Sequence, residues 1–208
     1  MFLRARFLAA LLTAAVTASM AATWALPAAA QSGKRSEQAA KPQVSRIDRT
    51  RSLDFLFRAL KLAPDDTTAK AIEERIWTVW TASRSDTANL LMMRVKTAIE
   101  AKDLDLAVTL LDGIVKIKPD YIEGWNRRAT IFYMKKDYGR AIADIRQVLK
   151  REPRHFGALA GLGLILQDIG DDKQALEIYR RALEVYPRME RIPDIVKTLR
   201  EKIEGRDI

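Results

Sequence analysis

The fold of this chain is decided by residues 156–187, FGALAGLGLILQDIGDDKQALEIYRRALEVYP. Two apolar runs with helical spacing flank the short polar turn Ile169-Gly170-Asp171, and the second run stops at Pro187. Proline ends a helix because it lacks a backbone N–H and restricts the residue before it. The stretch therefore predicts two short helices joined by a tight turn, in which Gly170 takes the left-handed conformation of a helix end.

The same arrangement recurs upstream at a fixed interval. Three prolines and three alanines keep a spacing of 34 residues, and each alanine lies twelve residues before its proline: Pro119, Pro153, Pro187, Ala107, Ala141 and Ala175. Two coincident periods of this length indicate an architecture built from stacked repeats.

The pattern resembles the tetratricopeptide repeat over residues 88–187. Leu162-Gly163 reproduces the family's Leu-Gly pair, whereas the earlier repeats have Arg94-Val95 and Arg128-Ala129 at that place. The other matching positions are Leu91, Leu111, Trp125, Phe132, Ile145, Leu159, Leu166, Tyr179 and Ala182. The resemblance implies an all-α fold, a right-handed superhelical solenoid of antiparallel helix pairs.

The helix pairs of such a solenoid need small residues where two helices cross and bulky apolar residues between the helices, and the sequence supplies both. Helix A needs a small residue where helix B crosses it closely, and Ala129 and Gly163 supply one. Bulky residues at helical spacing fill the seam from helix B, as in the first repeat: Leu104, Val108, Leu111 and Val115.

Upstream of the repeats, two further helices are expected. Leu53–Leu62 ends before Pro64 like a helix B, and Thr68–Ser83 places Ile72, Ile76, Val79 and Ser83 on one face. The offset from Pro64 to Pro119 is 55 residues, which is not a multiple of 34, so the pairing of these helices stays open.

Downstream, an apolar stripe on a charged helix predicts the polar-faced cap that a repeat array requires at its end. The stripe consists of Ile192, Ile195, Val196 and Leu199.

The N-terminus has the three zones of a secretory signal. Arg4 and Arg6 precede the uncharged apolar run 7–20, and the small residues Ala28 and Ala30 fit the signal peptidase rule. We expect cleavage after Ala30 and a mature protein in a bacterial periplasm.

An uncleaved membrane anchor is the alternative, because Phe7–Leu26 is about long enough to span a bilayer. Its many Ala and Thr residues make it weakly hydrophobic for a permanent span, so cleavage is favoured.

The predicted segments are a signal peptide and signal helix (1–30), a flexible linker (31–50), a degenerate N-terminal helical repeat (51–87), three tetratricopeptide repeats (88–121, 122–155, 156–189) and a C-terminal capping helix (190–208).

Residues with catalytic potential do not combine into a site. The chain has no cysteine and one histidine, His155, so thiolate and histidine metal clusters are excluded. A structural or solvated role is expected for His155. Asp171-Asp172 is read as a turn and helix cap, and Gly157, Gly161 and Gly163 follow no strand that would make them a phosphate loop. No enzyme activity, metal or cofactor is predicted.

The resemblance implies that the concave face, lined mainly by helix A, binds a peptide or protein segment. Carrying the inward-facing positions over gives Asn89, Met92, Lys96, Asn126, Arg127, Thr130, Tyr133, Ala160, Leu164 and Gln167. A carboxylate clamp of the kind known in one subfamily is not expected, because Met92 replaces its Lys, and Gly157 and Gly161 replace two basic residues. Met92, Tyr133 and Leu164 favour a partly apolar ligand.

These features together predict a non-catalytic protein-interaction scaffold in the periplasm. Alternatives are a membrane-anchored assembly factor of the cell envelope and, given the net charge of +9, a nucleic-acid-binding helical protein. Nucleic acid is disfavoured because of the export signal. Self-association through the exposed end faces of the array is a further alternative, and the partner and the oligomeric state stay open.

Overall fold

The computed structural model describes residues 46–205, with side chains from residue 48 onward. Within this range the chain is helical throughout and contains no strand. In chain order the helices are α1 (Arg46–Lys61), α2 (Asp66–Thr81), α3 (Asp86–Glu100), α4 (Leu104–Ile117), α5 (Ile122–Met134), α6 (Tyr138–Arg151), α7 (Phe156–Asp168), α8 (Asp172–Val185) and α9 (Ile192–Glu204). The predicted signal peptide lies outside the described residues. None of the described helices is long and apolar enough to cross a membrane.

Helices α3 to α8 form three helix pairs that stack in sequence order. Within a pair, α3 packs on α4, α5 on α6 and α7 on α8, while α4 and α6 each also pack on the first helix of the next pair. The predicted all-α repeat array is therefore confirmed. The three alanines at 34-residue spacing are fully buried at the crossings, Ala107, Ala141 and Ala175.

Each turn inside a pair is closed by one left-handed residue and one aspartate. Lys102, Lys136 and Gly170 have φ of 60°, 57° and 86°. The residue that follows is an N-cap whose carboxylate accepts a hydrogen bond from a backbone N–H of the next helix: Asp103, Asp137 and Asp171. The predicted capping role at Asp171 is confirmed, whereas two of the three turns manage the left-handed residue without glycine.

Helices α1 and α2 form a pair of their own, which we call the N-terminal hairpin. Helix α1 begins at Arg46, inside the range predicted as linker, and α2 spans Asp66–Thr81. The hairpin packs on α5 and α8, whereas a repeat stacked in register would pack along α3. It thus turns back onto the array.

At the other end, α9 packs on α8 through the predicted stripe. Ile192 and Leu199 are buried in an apolar cluster with Leu176 and Tyr179 of α8, and Ile195 and Val196 are half-buried against that cluster. Lys202 Nζ lies 2.8 Å from the buried carboxylate of Asp172 at the start of α8, which pins the last turn of α9.

The crossing of α7 and α8 depends on the absence of a side chain at Gly163. A Cβ there would lie 2.6 Å from the ring of Tyr179, which is buried and donates a hydrogen bond to Gln167. A Cβ at Gly161 would lie 3.9 Å from Ile145, an ordinary contact. The two glycines of one helix therefore differ sharply in the space around them.

We predict that Gly163→Ala destabilises the fold and Gly161→Ala stabilises it. Overpacking against the Tyr179 ring costs about 1–3 kcal/mol, which exceeds the gain of roughly 0.5–1 kcal/mol for replacing a helical glycine by alanine. At Gly161 only the gain from replacing a helical glycine applies, because a Cβ there would make an ordinary contact with Ile145. Urea unfolding of the two variants measures both free energies, and equal effects would rule out the close crossing.

Candidate functional site

The N-terminal hairpin covers the edge of the array where α5 and α7 begin. Trp80 is buried and stacks on the ring of His155 with centroids 3.9 Å apart, and Trp77 meets Phe156 edge-on. A Cβ at Gly157 would lie 3.0 Å from the Trp77 ring, so the glycine leaves room for the indole. The two tryptophans hold α2 on the start of α7.

Polar contacts from the turns between repeats fix the same helix. Tyr121 donates a hydrogen bond from its hydroxyl to the carbonyl of Thr81 at 3.0 Å, and Tyr186 donates to the carboxylate of Glu73 at 3.2 Å. The middle of α2 and its C-terminal end are therefore tied to the array.

Helix α1 is tied through Arg154, whose guanidinium donates to Asp54 at 2.7 Å and lies over the ring of Phe57. Glu152 accepts from the same guanidinium, which holds Arg154 in that orientation.

Beneath Trp80 lies a buried polar pair, Glu123 and His155. His155 Nδ1 accepts a hydrogen bond from the backbone N–H of Ala158 at 3.0 Å, and Nε2 lies 3.0 Å from Glu123 Oε1. An accepting Nδ1 leaves the proton on Nε2, so Nε2 donates to the carboxylate. Asn126 Nδ2 donates to Glu123 as well, at 3.1 Å.

Next to Glu123, an open cavity of about 630 Å³ lies between α3 and α5. Its apolar lining includes Met92, Met93, Val95 and Ile99, all from α3, while Thr81 at the end of α2 forms part of its wall. The remaining lining residues are Asn89, Lys96, Glu100, Tyr121, Glu123 and Arg127.

Both cations at the cavity have an acidic neighbour. Arg127 Nε lies 3.7 Å from the Glu123 carboxylate, and Lys96 Nζ lies 3.9 Å from Glu100. The exposed Lys96 pair contributes little on its own, because water screens it. The cavity therefore combines an apolar lining with balanced charges.

A family model described as "Tetratricopeptide repeat" matches residues 125–190. A TPR repeat-containing protein of Rhizobium etli is 42% identical over 153 residues, which is 74% of this chain and 75% of the relative. The chain belongs to the tetratricopeptide-repeat (TPR) family.

Solved structures agree with this chain in fold. MamA, at 18% identity, covers 78% of this chain and 87% of its own, with a TM-score of 0.54. The first TPR domain of Spaghetti, solved bound to the HSP90 peptide SRMEEVD, is 16% identical, covers 58% of this chain and 95% of its own, and has a TM-score of 0.54. At these identities the likeness concerns the fold alone.

Four of the predicted binding residues of this TPR protein come together around the cavity, namely Asn89, Met92, Lys96 and Arg127. Asn89 already accepts a hydrogen bond from Ser83 Oγ at 2.6 Å, which fixes its amide at the cavity edge. Their role in binding stays a prediction.

The other predicted binding residues do not line the cavity. Asn126 is engaged with Glu123, and Thr130 Oγ1 donates to the Asn126 carbonyl. Tyr133 packs beside the ring of Tyr138, with centroids 6.0 Å apart. Leu164 is exposed and Gln167 accepts from Tyr179.

Sequence reasoning missed Tyr121, Glu123 and the part played by α2. One signal was present, since Tyr121 and His155 occupy equivalent positions 34 residues apart. Both follow a proline turn and both contact α2. His155 itself has the structural role expected of it, since it is fully buried.

Among residues 46–205, no cluster of three or more acidic, histidine or cysteine side chains is arranged to hold a metal.

Three buried tyrosines make the stability of the TPR fold sensitive to alkali. Burial, with the Glu123 charge next, raises the pKa of Tyr121 to about 12. Burial likewise raises the pKa of Tyr179 to about 12, and burial with the Glu73 charge raises that of Tyr186 to about 12. An ordinary tyrosine in the unfolded chain has a pKa of about 10.

We therefore predict that the free energy of unfolding falls as pH rises from about 10 to about 12, because only the unfolded chain releases these protons there. Below pH 10 the three hydroxyls contribute their full stabilisation. Urea unfolding between pH 8 and pH 11.5 measures the slope. Tyr121→Phe should make it shallower by about one proton, and an identical slope in that variant would contradict the assignment.

Proposed function

We propose that this TPR protein is a non-catalytic scaffold that binds a partly apolar segment of another protein in the cavity between α3 and α5. TPR proteins are protein-interaction scaffolds, and the fold is therefore compatible with this role. The observation that carries the proposal is the cavity itself, whose volume of about 630 Å³ lies within the usual range for a binding pocket.

The chemistry of the cavity indicates the kind of segment. Met92, Met93 and Ile99 offer flexible apolar contacts that adapt to differently shaped side chains. Because Lys96 and Arg127 are already neighboured by carboxylates, an acidic ligand gains little from them. An apolar segment with backbone groups that hydrogen-bond to Asn89 fits better than a carboxylate-terminated peptide.

The absence of catalysis in this proposal is supported by His155. One ring nitrogen accepts from Ala158 and the other donates to Glu123, and the ring is buried under Trp80. A histidine engaged in this way has no free nitrogen to exchange a proton with a substrate.

To test the site, we predict that Met92→Glu reduces binding of the natural partner at least about tenfold, which corresponds to roughly 1.4 kcal/mol. A carboxylate in the apolar lining would have to be desolvated on binding. The matched control is Met134→Glu, since Met134 is half-exposed and lies outside the cavity.

Partners recovered from an envelope extract by the unaltered protein are quantified against both variants by mass spectrometry. A partner lost from Met92→Glu and retained by Met134→Glu supports the cavity as the site. Equal recovery by all three proteins would reject it.

We also propose that the protein is exported and acts in a bacterial periplasm. Support comes from the sequence of residues 1–30, in which two arginines, an apolar run and the small pair Ala28 and Ala30 follow the order of a cleaved signal.

We predict that the mature protein begins at Gln31. Intact-mass measurement of the protein isolated from an envelope fraction decides this, and Ala28→Lys should block processing because the peptidase requires a small residue there. A chain that retains Met1 and stays with the membrane would favour the anchored alternative instead.

A further inference from the structure

In the second and third repeats, the first helix is covered by the last helix of the repeat before it. Ile131 in α5 and Ile165 in α7 are 1% exposed at these interfaces. A Cβ at Gly124 would lie 2.9 Å from Ile114 of α4, and Ala158 is buried at the equivalent place on α7. The face of each inner repeat is thus built to receive a helix.

The same positions on α3 are uncovered. Leu90 is the equivalent of Gly124 and is 59% exposed, while Met93, on the same side of the helix, is 69% exposed. Thr97, the equivalent of Ile131, is exposed too. Helix α2 precedes α3 in the chain but packs on α5 and on the start of α7. Within residues 46–205, no helix lies over this outer face of α3, which we define by Leu90, Met93, Arg94 and Thr97.

Charge on this face is also unbalanced. In the second repeat, Arg128 donates to Asp112 of α4 and to Asp144 of α6, both at 2.7 Å. Arg94 is the equivalent of Arg128, but Leu110 stands where Asp144 would be, and no preceding helix supplies an Asp112. In the described part of the chain, Arg94 is exposed and forms no ion pair.

We propose that the outer face of α3 binds an amphipathic helix of a partner protein, and that this helix carries an aspartate or glutamate opposite Arg94 and a small residue opposite Leu90. We infer the acidic residue from the second repeat, where Asp112 of the covering helix α4 pairs with Arg128, the equivalent of Arg94. The small residue follows from size, because Gly124 accommodates the bulky Ile114, whereas Leu90 already fills that space from the α3 side. This site extends beyond the cavity: Met93 lies at the border of both, whereas Leu90, Arg94 and Thr97 do not line the cavity.

The probe is a fluorescein-labelled peptide of residues 103–119, the chain's own α4, with Ile114→Ala. A hydrocarbon staple between positions 105 and 109, both exposed in α4, holds it helical, because so short a helix is marginal alone. Fluorescence anisotropy against the full chain measures its Kd. We expect saturable binding, and at least about fivefold weaker binding of the stapled peptide that keeps Ile114.

Charge reversal tests the pairing. Arg94→Glu should weaken binding of the probe about tenfold or more, and a probe that also carries Asp112→Lys should recover that loss on the Arg94→Glu protein. The control is Arg75→Glu, an exposed arginine of α2, which should leave the Kd unchanged. Met92→Glu should leave it unchanged as well, so the outcome is separate from that of the cavity.

Three results would overturn the proposal. The first is the absence of saturable probe binding up to about 1 mM. The second is an equal effect of Arg94→Glu and Arg75→Glu on the Kd of the probe. The third is a dimer of the full chain in sedimentation equilibrium that Leu90→Asp dissociates, because the face would then bind a second copy. A monomer with charge-dependent probe binding supports the partner helix.

Discussion

The arrangement of this molecule depends on the buried contact between Glu123 and His155. A carboxylate that is 1% exposed is costly unless it is fully hydrogen-bonded, and here His155 and Asn126 both donate to it. The other nitrogen of His155, Nδ1, accepts a hydrogen bond from the backbone N–H of Ala158 and so caps α7. The indole of Trp80 stacks on the same imidazole ring. One polar pair therefore joins two repeats and the N-terminal hairpin.

The binding surface of the protein follows from that junction. Because Trp77 and Trp80 hold α2 on the start of α7, the end of α2 at Thr81 stands beside α3 and α5 and forms part of the cavity wall. Gly157 has a part in this, since a side chain there would meet the indole of Trp77. The outer face of α3 stays uncovered for the same reason, because the helix before it is engaged elsewhere.

The repeat array and its crossings could be predicted from sequence, because they rest on local rules. Prolines end helices, and small residues such as Gly163 mark places where two backbones approach closely. The position of the hairpin could not be predicted in this way. Periodicity indicates that Ile76 is buried, but not what buries it, and Trp77 and Trp80 lay outside the stripe that the period picked out. Likewise, six of the ten predicted groove residues do not line the cavity, because family positions describe one face of the array and do not say which part of that face is left open.

The hairpin also changes how the chain can fold. In a simple solenoid each repeat touches only its neighbours, so that folding nucleates anywhere and stability is a sum of local terms. Here Asp54 meets Arg154 and Asp66 meets Arg188, pairs that are 100 and 122 residues apart. Closing such loops costs entropy that is recovered only when the third repeat is in place. The three repeats are thereby bound into one cooperative unit. During synthesis, α1 and α2 emerge first, and their long-range contacts form only after the third repeat has been made.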